Sequence, residues 1–258
     1  MTAAENLTAL YTVSRREIVR ILRIWTQTLI PPAITMGLYF VIFGSMIGSR
    51  IGEIRPGIGY IDFLVPGLIM MSVITNSYGN ISSSFFGAKF GRHVEEMLVS
   101  PMPGWVILTG YVSGAVMRGL VVAMVVFAIS LFFTKVQLHH PWVTLTTVLL
   151  TAIVFALAGF VNAVFARKFD DIALVPTFIL TPLTYLGGVF YSTDALPSPW
   201  REISHANPIL YMVNAFRYGL LGITDISLWI AYAVMIGSVI VLGAFALRLL
   251  HKGVGLRT

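Results

Sequence analysis

Six apolar runs set the terms on which this chain can fold. They lie at about 28–49, 60–84, 104–133, 141–166, 172–192 and 226–250. Each is long enough for an α-helix to cross about 30 Å of hydrocarbon. Backbone N–H and C=O groups find no water inside a bilayer, so runs of this length and spacing form helices that satisfy those groups internally. The composition agrees: 57% of the residues are hydrophobic, 11% are charged, and the mean hydropathy is +0.86. Soluble domains carry about 25% charged residues. The expected fold is an all-α polytopic membrane protein with six transmembrane helices. No polar stretch leaves room for a second, soluble domain, so residues 1–258 read as one transmembrane domain. Residues 1–27 form an interfacial arm and 28–258 a six-span bundle. Cysteine is absent, which excludes disulfides, thiolate metal sites and a cysteine nucleophile.

The first span follows roughly 25 residues that contain Arg15, Arg16, Arg20 and Arg23, and it ends in no A-x-A-like cleavage site. It therefore reads as a retained span rather than a signal peptide. With the N-terminus inside, twelve Lys and Arg fall on the cytoplasmic side. Five fall outside (Arg50, Arg55, Lys135, Arg201 and Arg217), balanced by the acids Glu53, Asp62, Asp194, Glu202 and Asp225. This asymmetry predicts cytoplasmic N- and C-termini. The net charge of +6 then reflects topology and anionic lipid, and no nucleic acid partner is needed to explain it.

In the N-terminal arm, Leu7, Leu10, Tyr11, Ile18, Ile21, Leu22 and Trp25 share one helical face, and Arg16, Arg20, Arg23 and Gln27 another. That pattern predicts an amphipathic helix in the membrane plane. It serves either as a lipid anchor or as a transmission helix, and the two roles are compatible. Pro31-Pro32 are expected to mark the turn into the first span.

Between the second and third runs, Phe86 to Pro103 is short, charged and amphipathic. It has the length for one helix ending at the Pro101 and Pro103 breakers. A rigid charged helix at the cytoplasmic face points to an external motor. Consistent with that, the chain contains no G-x-x-x-x-G-K-[ST] phosphate loop of its own.

Arg118 interrupts the third run 17 residues before Lys135, about 25 Å along a helix. It is expected to snorkel to the cytoplasmic interface, the alternative being a buried functional arginine. Two polar stripes cross the bundle. Ser72, Thr75, Asn76, Gly79 and Ser83 mark the second span, and Thr177, Thr181, Thr184 and Tyr185 the fifth. They either glue helices together or line a path. Neither contains a carboxylate or a histidine, which argues against ion-coupled transport. Gly44-x-x-x-Gly48 is a candidate close-packing face, and Pro176 and Pro182 are candidate kinks. The five histidines show no metal-ligand spacing. Between about 193 and 225 only the second half of the chain is apolar, and it is too short to span, which predicts a re-entrant or interfacial helical hairpin on the outer side. Trp200, Tyr211 and Tyr218 would sit at headgroup level.

These segments together resemble the permease subunit of ABC-2-type exporters, and within that family the YadH-type inner-membrane permeases. The carriers are I-P-P-A-I-T-M at 30–36, V-P-G-L-I-M-M-S-V-I-T-N at 65–76, F-F-G-A-K-F at 85–90, V-E-E-M-L-V-S-P at 94–101, the run at 169–191, and N-P-I-L-Y followed by Arg217. The resemblance covers essentially the whole chain. It implies a homodimer in the bacterial inner membrane, with two copies of a separate ATPase that bind ATP and Mg, and no cofactor in this chain. It implies that Arg92, Val94, Glu95, Glu96, Met97 and Leu98 belong to a coupling helix. It makes the N-terminal helix, with Arg16, Arg20, Arg23 and Trp25, a connecting helix. The first, second and fifth spans would then surround the path, and Pro208, Tyr211 and Arg217 would mark the outer signature hairpin. The competing classes are an ion-coupled secondary transporter and a non-transporting assembly protein. The neutral, hydroxyl-rich stripes point to an amphiphile or glycan rather than a small ion as substrate.

Overall fold

The computed structural model describes residues 2–55, 57–135, 138–192 and 196–255. Two residues of the charge count, Asp194 and Arg257, lie outside them. Six helices among the described residues are long and apolar enough to cross a membrane: Trp25–Gly44, Tyr60–Phe90, Gly104–Ser130, Pro141–Phe165, Phe169–Leu186 and Leu228–Lys252. They are called spans 1 to 6. The only strands described are the short antiparallel pair Glu53–Arg55 and Ile58–Gly59, between spans 1 and 2. The protein is an all-α polytopic membrane protein.

Spans 2 and 4 form the centre, and spans 1, 5 and 6 are mostly open on their outer faces. Glycines set how closely the central helices approach. A Cβ on Gly159 of span 4 would come within 2.5 Å of the Tyr78 carbonyl oxygen, and one on Gly119 of span 3 would collide with Ser77. A larger residue at either place would force the spans apart. Such small-residue contacts suit helices in lipid, where packing rather than water exclusion drives association. Gly44 likewise abuts Ile61, and Gly48 lies against Tyr60, so the G-x-x-x-G face of span 1 is used inside the chain.

Span 2 has 31 residues, about 46 Å at 1.5 Å each. It outreaches the hydrocarbon by about 16 Å. Its end takes in Phe86–Phe90, which the sequence had suggested for the following helix. Lys89 is tolerated there because its Nζ donates to the Val164 and Ala166 carbonyls at 2.6 and 2.8 Å. The separate short helix is therefore only His93–Val99.

The N-terminal helix, Ala3–Arg23, opens with a capping box between Thr2 and Glu5. The chain breaks at Ile24, where φ is −106° and ψ is 32°. Span 1 starts at Trp25, so Pro31 and Pro32 lie inside its helix and not at the turn into it. Trp25 correspondingly belongs to span 1 rather than to the N-terminal helix. Two of the spans depart from α geometry. Phe40–Ile47, at the end of span 1 and just beyond it, and Pro176–Leu180 in span 5 are π-helical. In span 5 the Thr181 hydroxyl donates to the Pro176 carbonyl at 2.9 Å.

At the end opposite the N-terminal helix, Trp200–His205 and Pro208–Leu221 make a helical pair. The second helix has 14 residues, about 21 Å, too short to cross. It is buried on nearly every face, with spans 2, 4 and 6 against it. It is enclosed by protein, and is called the re-entrant helix after the hairpin expected from the sequence.

Candidate functional site

The N-terminal helix runs alongside the first half of span 3. Val13 meets Gly110 and Glu17 meets Gly114, where an added Cβ would lie 2.5 and 2.6 Å from those side chains. Its buried face is Val13, Glu17 and Ile21, while Leu7, Tyr11, Leu22 and Trp25 are exposed. Of the apolar stripe seen in the sequence, Leu7, Tyr11 and Leu22 therefore point outward and only Ile21 is buried, while Glu17 brings a polar cluster against the bundle.

That cluster centres on Glu17, which is 2% exposed. Arg20 donates to its Oε2 from Nε at 3.3 Å and Nη2 at 3.0 Å, and Ser84 Oγ of span 2 donates to the same oxygen at 2.6 Å. Arg16 Nη2 reaches Oε1 at 3.3 Å and the Tyr111 hydroxyl of span 3 at 2.6 Å. Arg20 Nη2 also donates to Asn80 Oδ1 at 3.0 Å. Burial alone would lower the Arg16 guanidinium, but Tyr111 and Glu17 outweigh it and hold Arg16 above its ordinary value. Arg118 is half-buried nearby, with its Nε enclosed by protein. Arg23 is exposed and outside the cluster. Sequence reasoning missed Glu17 altogether. Its signal was an acid set among the four arginines Arg15, Arg16, Arg20 and Arg23 in the second half of that helix.

The short helix hangs below span 2. Arg92 precedes it in the left-handed region, at φ 61°. Val94 is buried, and Met97 and Leu98 pack against the same core, so one side of the helix is fixed to the bundle. Glu96 and His93 lie on the open side, 3.9 Å apart, and Val99 is 88% exposed. Glu95 is half-buried. The six expected residues thus divide: Val94, Met97 and Leu98 anchor, Glu96 and Arg92 are displayed, and Glu95 stands between.

The two hydroxyl stripes also divide. Ser72 and Asn76 are buried, as is Thr184, whereas Thr75, Ser83, Thr177, Thr181 and Tyr185 are exposed. A Cβ on Gly79 would meet no atom within 4 Å. The side-chain bonds return to the helix's own backbone. Thr75 Oγ1 donates to Met71 O and Ser83 Oγ to Gly79 O, both at 2.8 Å. Ser72 and Asn76 bond to Leu68 O and Ser72 O. These open faces need no partner to satisfy them. Above them Tyr39, Phe43, Tyr185 and Phe190 form an aromatic knot, with ring centroids 5.0 to 5.9 Å apart, joining spans 1 and 5. Tyr60 donates from its hydroxyl to the Phe190 carbonyl at 3.2 Å.

The re-entrant helix is held by Asn207 and Arg217. Asn207 caps it by accepting from Ile209 N at 3.0 Å and donates to Leu183 O at 2.6 Å. Pro208 occupies its first turn, as the cap geometry favours. Arg217 is 1% exposed, donates to Gly188 O at 2.7 Å and lies 3.8 Å over the Phe63 ring. It is a buried structural arginine, not a charge on the outer surface. Tyr211 is half-buried and donates to His205 O at 2.7 Å. Among the described residues no group of three or more His, Asp or Glu is placed to hold a metal ion.

A bundle of six apolar helices, with a short helix at one end and an enclosed helical pair at the other, is a multi-pass membrane protein. The model of the ABC-2 type transporter family matches residues 8–221, and the chain belongs to that family. It is 56% identical over 250 residues to the inner membrane transport permease YadH of Escherichia coli strain K12, covering 97% of each chain. The permease of that name from Shigella flexneri is equally similar. Nodulation protein J of Rhizobium leguminosarum bv. viciae is 23% identical over 186 residues, 72% of this chain and 71% of that one.

Proposed function

We propose that this chain is the permease subunit of an ATP-driven exporter in the bacterial inner membrane. It works as a homodimer, with two copies of a separate ATPase docked on the basic end. That end faces the cytoplasm, since most of the chain's Lys and Arg lie there. ATP and Mg are bound by the partner. One observation carries this reading: the His93–Val99 helix is anchored to the core by Val94 yet shows Glu96 and Val99 on its free side. An exposed valine beside an exposed carboxylate suits a protein groove better than a headgroup layer. ATP-driven closure of the ATPase pair would press these helices, and span 2 would carry the displacement to the open hydroxyl faces. Those faces hold hydroxyls and no fixed charge, which fits an amphiphile or glycan.

The test is the double substitution Glu95→Lys and Glu96→Lys. Transport is expected to fall and the ATPase to be lost on co-purification, with the purified permease still folded. Undiminished transport would refute the coupling role.

A further inference from the structure

The basic end also holds a cavity that touches the short helix only at Arg92, the residue that caps its start, and lies apart from the hydroxyl faces. It has a volume of about 680 Å3 and is walled by Phe86, Lys89, Phe90, Arg92, Phe165 and Arg167, with no carboxylate in its lining. It sits where span 4 ends. That span has 25 residues, about 37 Å, which carries its end out of the hydrocarbon into the headgroup layer.

The three cations are placed in different ways. Lys89 is 8% exposed and fixed by the last carbonyls of span 4. An ammonium has three donors, and these two bonds leave one. Arg92 is the only residue other than glycine with positive φ among the described residues. Glycine would adopt that conformation freely, so the backbone gains nothing from an arginine there, and strain of this kind marks sites where the side chain has a use. Neither Arg92 nor Arg167 makes a side-chain hydrogen bond or ion pair with a described residue. Asp171, four residues past Arg167, is not in the lining and accepts on its Oδ2 from the backbone N–H groups of Arg167 and Lys168 at 2.8 and 3.0 Å. Phe90 and Phe165 are exposed at the rim.

We propose that this cavity binds the phosphate headgroup of an anionic phospholipid. Two guanidiniums offer the forked donors that suit phosphate oxygens, and the Lys89 ammonium adds a fixed charge behind them. The rim rings lie where acyl chains would leave the headgroup. Basic pockets between spans take anionic lipid in this way, and the aromatic rim favours lipid over an acidic segment of a docked protein.

The test titrates dioctanoyl phosphatidylglycerol into the purified, delipidated full chain and follows thermal unfolding by tryptophan fluorescence. A saturable rise in melting temperature is expected, with no comparable rise from dioctanoyl phosphatidylcholine. The double variant Arg92→Gly, Arg167→Gln is expected to need about tenfold more lipid or beyond, the loss of charge-assisted pairs. Glycine keeps the turn at 92, and Arg167→Gln alone, expected to weaken binding part-way, guards against an effect of that turn. An undiminished response in the double variant overturns the proposal. So does an equal response to the zwitterionic lipid, or an equal response to inorganic phosphate, which would make the site one for free phosphate. A wild type indifferent to phosphatidylglycerol also overturns it and leaves the basic walls to an acidic protein segment.

Discussion

Glu17 sits inside the protein with two guanidiniums and a hydroxyl around it. Such a group stabilises only as a complete set. Removing one member leaves charge poorly compensated, and the cost exceeds what the intact pair contributed. Glu17→Ala is expected to destabilise the protein by about 2–4 kcal/mol, reduced from the fully buried case because Arg16 and Arg20 reach solvent. A thermal melt in detergent would register it, and an unchanged melting temperature would show that the cluster contributes no stability. Asn207→Ala is expected to cost about 1–2 kcal/mol, since one side chain both caps the re-entrant helix and bonds Leu183 O. Glu17 did not stand out in the sequence, and Asn207 did so only as the first residue of N-P-I-L-Y. Periodicity reports which side chains are apolar, and a buried acid looks like a solvated one until Ser84, 67 residues away, is brought beside it, with Asn80 and Tyr111 beside its arginines. Arg217 misled for the same reason: its burial rests on the Gly188 carbonyl and the Phe63 ring.

At the scale of elements, hydropathy located all six spans, because length and apolar content suffice to identify them. Their ends were less legible. Span 2 continues through Lys89 because carbonyls of another helix receive the charge, and no local rule anticipates that. The N-terminal helix shows the same limit. Its exposed apolar stripe was visible, but its docking surface was not, since that surface is made by Gly110 and Gly114 of a distant helix. Gly114→Val should dislodge it, because the Cβ would press on the side chain and backbone of Glu17. Limited proteolysis is expected to cut within Ala3–Arg23 in that variant and spare the wild type. Equal protection would mean that the two helices separate at little cost.

For the whole molecule, the absence of cysteine makes single introduced thiols clean reporters of assembly. Thr75→Cys and Thr181→Cys lie on open faces, and Ser72→Cys is buried within the subunit. If two copies meet around these faces, oxidation should crosslink at least one of the first two and never the third. Equal yields from all three would deny a specific interface. Gly79→Leu separates folding from function, since open space surrounds that glycine. It should leave expression and melting temperature near wild type while lowering transport. Full transport would place the path elsewhere.

The π-turns give the bundle an uneven stiffness. Span 2 is a continuous α-helical rod between two spans, 1 and 5, that each hold surplus residues in wide turns. Surplus winding can be given up. Tightening one such turn by a residue rotates everything beyond it by about 100° and lengthens the helix by about 1.5 Å, with no connection broken. Spans 1 and 5 are therefore threaded like screws while span 2 is a plain shaft. A push on the shaft would meet two neighbours built to answer by turning.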